Sequence, residues 1–355
     1  MADLIRVLVV DDSALVRDIL SRGLSEDPDI EVVGTARDPY DARDKIVKLK
    51  PDVMTLDVEM PRMDGVEFLR RLMPQYPLPT LMVSALTEEG KRVTMDALEA
   101  GAVDFVTKPS SDVSRGLEAM LTDLRAKVKA VARADLSRFK SRQSADLKPA
   151  PRQIRTNTDS LKEFSDRVIA IGASTGGTEA IRSIIRSLPA STPGIVIVQH
   201  MPAGFTKLFA ERLNDQSRLE VREAVDGDRI IEGRALIAPG GLQLTVHRSG
   251  GNYMVRCRPG DPVNGHAPSV DVMMKSVSEN VGSNAVGVIL TGMGSDGADG
   301  LLRMRSAGAP TIGQNQETCV VYGMPKVAFE RGAVEKVVSL DNMPDQILMA
   351  VQRKG

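Results

Sequence analysis

The chain has little of what several common kinds of protein are built from. Two cysteines, Cys257 and Cys319, occur in 355 residues, and they form no CxxC or metal-ligand spacing. A disulfide framework and a cysteine-rich metal site are thereby excluded, and two buried or half-buried thiols in a reducing compartment are expected. No apolar run approaches the roughly 18 residues that span a bilayer. The start offers Ile5–Val10, interrupted by Arg6 and closed by Asp11-Asp12, which is no signal peptide. Excess charge of either sign is missing too: 46 basic residues balance 47 acidic ones. No global field therefore favours nucleic acid or an anionic membrane. These absences predict a cytoplasmic protein. Histidine is scarce as well, with only His200, His247 and His266, so candidate bases can be weighed one at a time.

What is present suffices for two α/β domains, each with its own core. Over residues 1–125 short apolar runs alternate with amphipathic stretches. Strands are expected at 6–10, 30–36, 53–56, 80–83 and 103–107, with helices at 14–24, 40–49, 66–73 and 94–100. Five βα units imply a parallel sheet covered on both faces. Residues 126–166 are rich in Lys, Arg, Ser, Ala, Pro and Gln. They lack the aromatics and regular basic stripe of a nucleic-acid arm and read as a basic interdomain linker, partly helical early on. Residues 167–355 form a second, doubly wound, mostly parallel unit with strands at 167–171, 194–198, 285–290 and 310–313. Within 219–258, the turns Asp226-Gly227, Pro239-Gly240-Gly241 and Gly250-Gly251 predict β-hairpins.

In the first unit chemistry-bearing residues stand at strand ends. Asp11 and Asp12 follow the first strand, Asp57 and Ser84 end the third and fourth, and Lys108 follows the fifth. A parallel sheet gathers these ends along one edge. One such Asp is explained as a helix cap; five residues together ask for more. Clustered carboxylates repel unless a cation is present, and hard oxygen ligands favour Mg²⁺. A carboxylate beside a metal, a lysine and a hydroxyl can attack a phosphoryl donor. The set resembles the receiver domain of response regulators. That resemblance implies a flavodoxin-like five-stranded fold, Asp57 as phosphoacceptor, and Mg²⁺ held by Asp11, Asp12, Asp57 and the Glu59 carbonyl. It further implies Ser84, Phe105 and Lys108 as the switch residues.

In the second unit the run Val168–Gly177 ends in a glycine-flanked serine, Ser174, just before a helical pattern. Such a turn exposes a hydroxyl at a strand end and leaves N–H groups for an oxyanion. Ser174 is the candidate nucleophile. His200 closes the next strand and is the preferred base; His247 is expected on the polar face of a hairpin, and His266, in the loop 260–269, on a substrate groove. The acid that orients the imidazole is Asp296 in a second glycine-rich loop, rather than Asp299, which faces the following helix. The order Ser, His, Asp departs from that of an α/β-hydrolase, and the spacing is not a dinucleotide fingerprint.

Together with the receiver and linker, the motifs GASTGG, VQHM, APGG, PSVD and LTGMGSDG resemble the CheB chemotaxis methylesterase family over nearly the whole chain. The resemblance implies a protein-glutamate methylesterase and glutamine deamidase, with Ser174, His200 and Asp296 catalytic and Thr175 and Met293 near the oxyanion. It implies methyl-accepting chemoreceptors as substrate and the histidine kinase CheA as phosphodonor. It also implies no cofactor in the catalytic domain and a monomer, while charge balance and the lack of a long apolar run already predict no nucleic-acid binding and no membrane insertion. The unphosphorylated receiver is expected to cover the Ser174 site. A receiver-controlled hydrolase of another ester or amide, and a non-enzymatic adaptor, stay open as rivals.

Overall fold

The computed structural model describes residues 4–109, 113–132, 134 and 166–353. The chain divides into two compact units, Met1–Pro149 and Ala150–Gly355. Of the expected linker 126–166, residues 126–131 form the last turns of a long helix; apart from 132, 134 and 166 the rest lies outside the described residues.

The first unit alternates strand and helix: β1 (Ile5–Val10), α1 (Ala14–Ser25), β2 (Ile30–Ala36), α2 (Pro39–Leu49), β3 (Val53–Asp57), α3 (Gly65–Leu72), β4 (Thr80–Ser84), α4 (Glu88–Glu99), β5 (Asp104–Thr107) and α5 (Val113–Val131). All pairings in its sheet are parallel, in the order β2-β1-β3-β4-β5. Strands β3 and β4 are buried along their whole length, as interior strands of a sheet covered on both faces must be. Helix α4 begins earlier than the expected 94–100. Its first turns are too polar to show an apolar period, and Thr87 caps it by accepting the Gly90 N–H at 2.9 Å.

The second unit starts with β6 (Val168–Ala173), α6 (Gly177–Ser187), β7 (Gly194–Gln199), α7 (Phe205–Gln216), β8 (Glu220–Glu223) and β9 (Arg234–Ile237). A hairpin, β10 (Gln243–Ser249) and β11 (Asn252–Arg258), precedes α8 (Val270–Asn280), β12 (Ala285–Ile289), α9 (Ala298–Ser306), β13 (Thr311–Gln314), α10 (Met324–Glu330), β14 (Lys336–Val338) and α11 (Met343–Gln352). Seven parallel strands run in the order β14-β13-β12-β6-β7-β9-β8. Ala180, Ile181, Ile184 and Ile185 line one face of α6 and are buried, each isoleucine contributing about 1.5–3 kcal/mol.

Only one of the three expected hairpins forms. Strands β10 and β11 pair antiparallel around Gly250-Gly251, both with positive φ. Strands β8 and β9 instead pair parallel to one another, and β9 pairs parallel to β7. The segment after Asp226-Gly227 finds its partner in β11: Gly227 N–H donates to Val255 O at 2.9 Å and Ile230 N–H to Tyr253 O at 2.9 Å. A glycine turn reports a reversal of the chain, not which strand receives its hydrogen bonds. No helix among the described residues is long and apolar enough to cross a membrane.

Candidate active site

Strand β6 is apolar and buried throughout, which suits the middle of a parallel sheet. From it the chain winds one way through β7 and the other way through β12. The topological switch point therefore falls at its carboxyl end, where crevices of open α/β sheets form. Ser174 stands there, half-buried. Its N–H donates to Thr291 O at 3.0 Å, and its carbonyl accepts from Gln199 Nε2 at 3.0 Å. Three glycines permit the approach. Gly176 has φ +75°, and a Cβ on it would lie 2.6 Å from Val320 Cβ. A Cβ on Gly177 would fall on Gln199 Oε1, and one on Gly292 would fall on Met324 Sδ and within 2.7 Å of Ser174 Cβ.

His200 directly follows β7, whose last residue pairs with Ala173, so its backbone lies beside Ser174; its N–H donates to Ala173 O at 3.1 Å. Its Nε2 bonds Asp296 Oδ2 at 2.8 Å, and both side chains are nearly inaccessible, at 6% and 2%. With Asp296 ionised, Nε2 carries the proton and Nδ1 keeps the lone pair. Nδ1 is buried and has no hydrogen-bond partner among the described residues.

Asp296 sits over the amino end of α8. Oδ1 accepts from Asn264 Nδ2 and Ser269 Oγ, both at 2.8 Å, while the Val270 N–H donates to Oδ2 at 2.6 Å. Burial alone would raise its pKa, but the His200 bond and charge and the Asn264 and Ser269 donors outweigh it, holding the carboxyl below the usual carboxylate range. Asp299, the alternative acid, lies in the first turn of α9 and pairs with Arg331. His266 stacks on His200, and His247 stands half-buried on β10, its pKa lowered by burial and by Arg256. Thr175 is buried, and its carbonyl accepts from Thr291 Oγ1 at 3.0 Å. Met293 follows Gly292 in the loop that crosses the serine turn.

Reasoning from sequence missed Asn264, Ser269 and Gln199. Ser269 carried a usable sign, as a serine just before a helical pattern; Asn264 and Gln199 carried none.

In the first unit Asp11, Asp12 and Asp57 place carboxylate oxygens within 4.8 Å of one another. Lys108 Nζ lies 3.0 Å from both Asp11 Oδ2 and Asp57 Oδ1. Burial, and then Asp11, push the Asp57 carboxyl up to about 6 despite Lys108. Burial would lower the lysine, but the two carboxylates raise it. Glu59 follows two residues after Asp57, its side chain exposed. Ser84 is buried and its hydroxyl is taken up by α4: Thr94 Oγ1 lies at 2.5 Å and Gly90 O at 3.2 Å. Phe105 is buried, with Lys127 Nζ 5.6 Å from its ring centroid.

A unit with an acidic phosphoacceptor-type pocket thus shares one chain with an α/β unit carrying serine, histidine and aspartate at a sheet switch point. That is the class of a receiver-linked hydrolase. Comparison with known proteins narrows it. A model described as CheB methylesterase matches residues 169–347, and one for the response regulator receiver domain matches residues 7–120. A "Protein-glutamate methylesterase/protein-glutamine glutaminase" of Syntrophotalea carbinolica is 64% identical over 345 residues, 97% of each chain. A protein of the same description from Salmonella choleraesuis is 51% identical over 98% of this chain and 97% of its own. The crystal structure of the Thermotoga maritima CheB methylesterase catalytic domain superposes with a TM-score of 0.51 at 38% identity, covering 52% of this chain and 98% of that one. The chain belongs to the CheB methylesterase family.

Proposed function

We propose that this chain is a phosphorylation-controlled protein-glutamate methylesterase and protein-glutamine glutaminase that serves adaptation in bacterial chemotaxis. Its substrates are γ-methyl esters, and particular glutamines, of methyl-accepting chemoreceptors. The observation that carries the catalytic reading is the buried His200–Asp296 pair, with an unpartnered Nδ1, beside the Ser174 turn.

Ser174 Oγ attacks the ester carbonyl while His200 Nδ1 takes its proton, and Asp296 stabilises the imidazolium. The proton then passes to the departing methoxide, and methanol leaves an acyl-serine. Water, deprotonated by the same nitrogen, releases the glutamate carboxylate and restores Ser174. A glutamine follows the same course with ammonia departing. N–H groups at Thr175 and Met293 hold the oxyanion, and the catalytic domain needs no cofactor.

In the receiver, the donor set fits a hard divalent cation: three carboxylates within 4.8 Å, one pushed up in pKa by burial and by its acidic neighbour. Asp11, Asp12, Asp57 and the Glu59 carbonyl would hold Mg²⁺, which when bound supplies charge neutralisation for phosphoryl transfer. Asp57 is the phosphoacceptor, Ser84, Phe105 and Lys108 are the switch residues, and CheA is the donor. The domains are the receiver at 1–125, the linker at 126–166 and the esterase at 167–355, in a monomeric cytoplasmic protein.

Methanol release from methylated chemoreceptor membranes tests this reading. Ser174→Ala is expected to lower the rate on the order of 10⁴–10⁶-fold. No release from the wild-type protein, with Ser174 still labelled by a serine-reactive phosphonate, would keep the hydrolase and remove this substrate.

A further inference from the structure

Among the described residues the His200 imidazole has one hydrogen bond, and it fixes one direction only. The Nε2–Asp296 bond sets where that N–H points, but the ring can still pivot about it, sweeping the Nδ1 lone pair along an arc. A second constraint is needed to define the ring plane, and the structure holds one. The His266 ring lies on the His200 ring with centroids 3.6 Å apart and planes 15° from parallel. At that separation the rings are in van der Waals contact, and a pivot of either drives it into the other.

The loop that carries His266 is itself pinned. Gln243 Nε2 donates to the carbonyls of His266 and Asp261, each at 3.0 Å. Val263 and His266 exchange backbone hydrogen bonds at 2.9 and 3.0 Å. Two residues before His266, Asn264 Nδ2 donates to Asp296 Oδ1 at 2.8 Å. One short loop thus grips both members of the pair: the carboxylate through Asn264, the imidazole through His266.

We infer that His266 is a positioning residue for the acyl-transfer step, a flat face that holds the His200 ring in the plane from which Nδ1 reaches Ser174 Oγ. The inference rests on the serine-hydrolase part of the proposed function and differs from the sequence expectation, in which His266 lines a substrate groove. A groove residue acts on substrate binding. A plane-setting residue acts on the proton transfer, where a misplacement of about 1 Å costs on the order of 10²-fold.

The test uses the full chain and two readouts: kcat and KM for methanol release, and the rate at which a small serine-reactive phosphonate labels Ser174. The phosphonate reports His200-assisted attack without any receptor contact. His266→Ala is expected to lower kcat and labelling together by about 10–100-fold with KM little changed. His266→Phe, which restores a flat ring, should recover most of both. Should His266→Ala fail to fold, His266→Leu fills the space without a flat face and is expected to stay slow where Phe recovers. A raised KM with kcat and labelling unchanged would overturn the inference, as would equal rates for Leu and Phe. Absence of wild-type labelling would instead defeat the serine-hydrolase reading beneath it.

Discussion

Asp296 is pulled in two directions: burial favours its neutral form, and the His200 bond and charge with the Asn264 and Ser269 donors favour the charged one and prevail. A carboxyl whose folded pKa lies below its ordinary value of 3.8 contributes stability that is whole above that value and is lost as pH falls through the folded one. Thermal melting from about pH 5 downward should therefore fall more steeply for the wild-type chain than for Asp296→Asn. On activity the same substitution is expected to cost about 10⁴-fold in kcat, through loss of the tautomer that leaves Nδ1 free. Asp299→Asn, in the first turn of α9, should cost far less. Equal losses at the two positions would undo the assignment of the acid. The cysteines make a separate check: burial pushes the Cys257 thiol up to about 12 and raises Cys319 as well. Neither is expected to react with an alkylating reagent at pH 8 until the chain is unfolded, as mass spectrometry would show.

At the scale of elements, the second unit's site is an agreement among three strand ends and the amino end of α8. The turn after β6 and the loop after β12 come together only because Gly292 has no side chain. Gly292→Ala must displace Met324 or the Ser174 turn. Overpacking of this kind costs about 1–3 kcal/mol in denaturant unfolding. Phosphonate labelling of Ser174 should fall by far more than so partial a loss of stability explains. A labelling rate that merely tracked the fraction folded would show that the turn tolerates the shift. Ser269 serves two elements at once, capping α8 through the Val272 N–H and donating to Asp296. Ser269→Ala thus removes a helix cap and a donor to the carboxylate in one change.

For the whole molecule the proposal to be tested is that phosphorylation of Asp57 in one unit controls Ser174 in the other. A small phosphodonor with Mg²⁺ is expected to raise methanol release, and Asp57→Asn should abolish the increase while leaving the basal rate in place. The fragment 167–355 is expected to fold by itself, as the solved catalytic domain of a relative does, and a receiver that restrains the site predicts a fragment at least as active as the unphosphorylated chain. A far slower fragment would make the receiver an activator instead of a restraint.

Much of this protein was legible in the sequence, because much of it is encoded locally. Apolar runs bounded by glycine or aspartate marked the interior strands, and the residues at their ends could be gathered on one edge by the rule that parallel strands point the same way. Ser174, Asp57 and Lys108 stand at strand ends that could be placed in this manner. What only the tertiary structure decided depends on which strands become neighbours. The hydrogen bonds of the segment after Asp226-Gly227 go to β11, and β8 joins the parallel sheet by pairing with the edge of β9 that β7 leaves open. The donors around Asp296 come from Asn264 and Ser269, some thirty residues away, and the ring that covers His200 comes from His266. Periodicity carries no trace of such contacts: they arise where α8 and the loop before it pack against the switch point of the sheet.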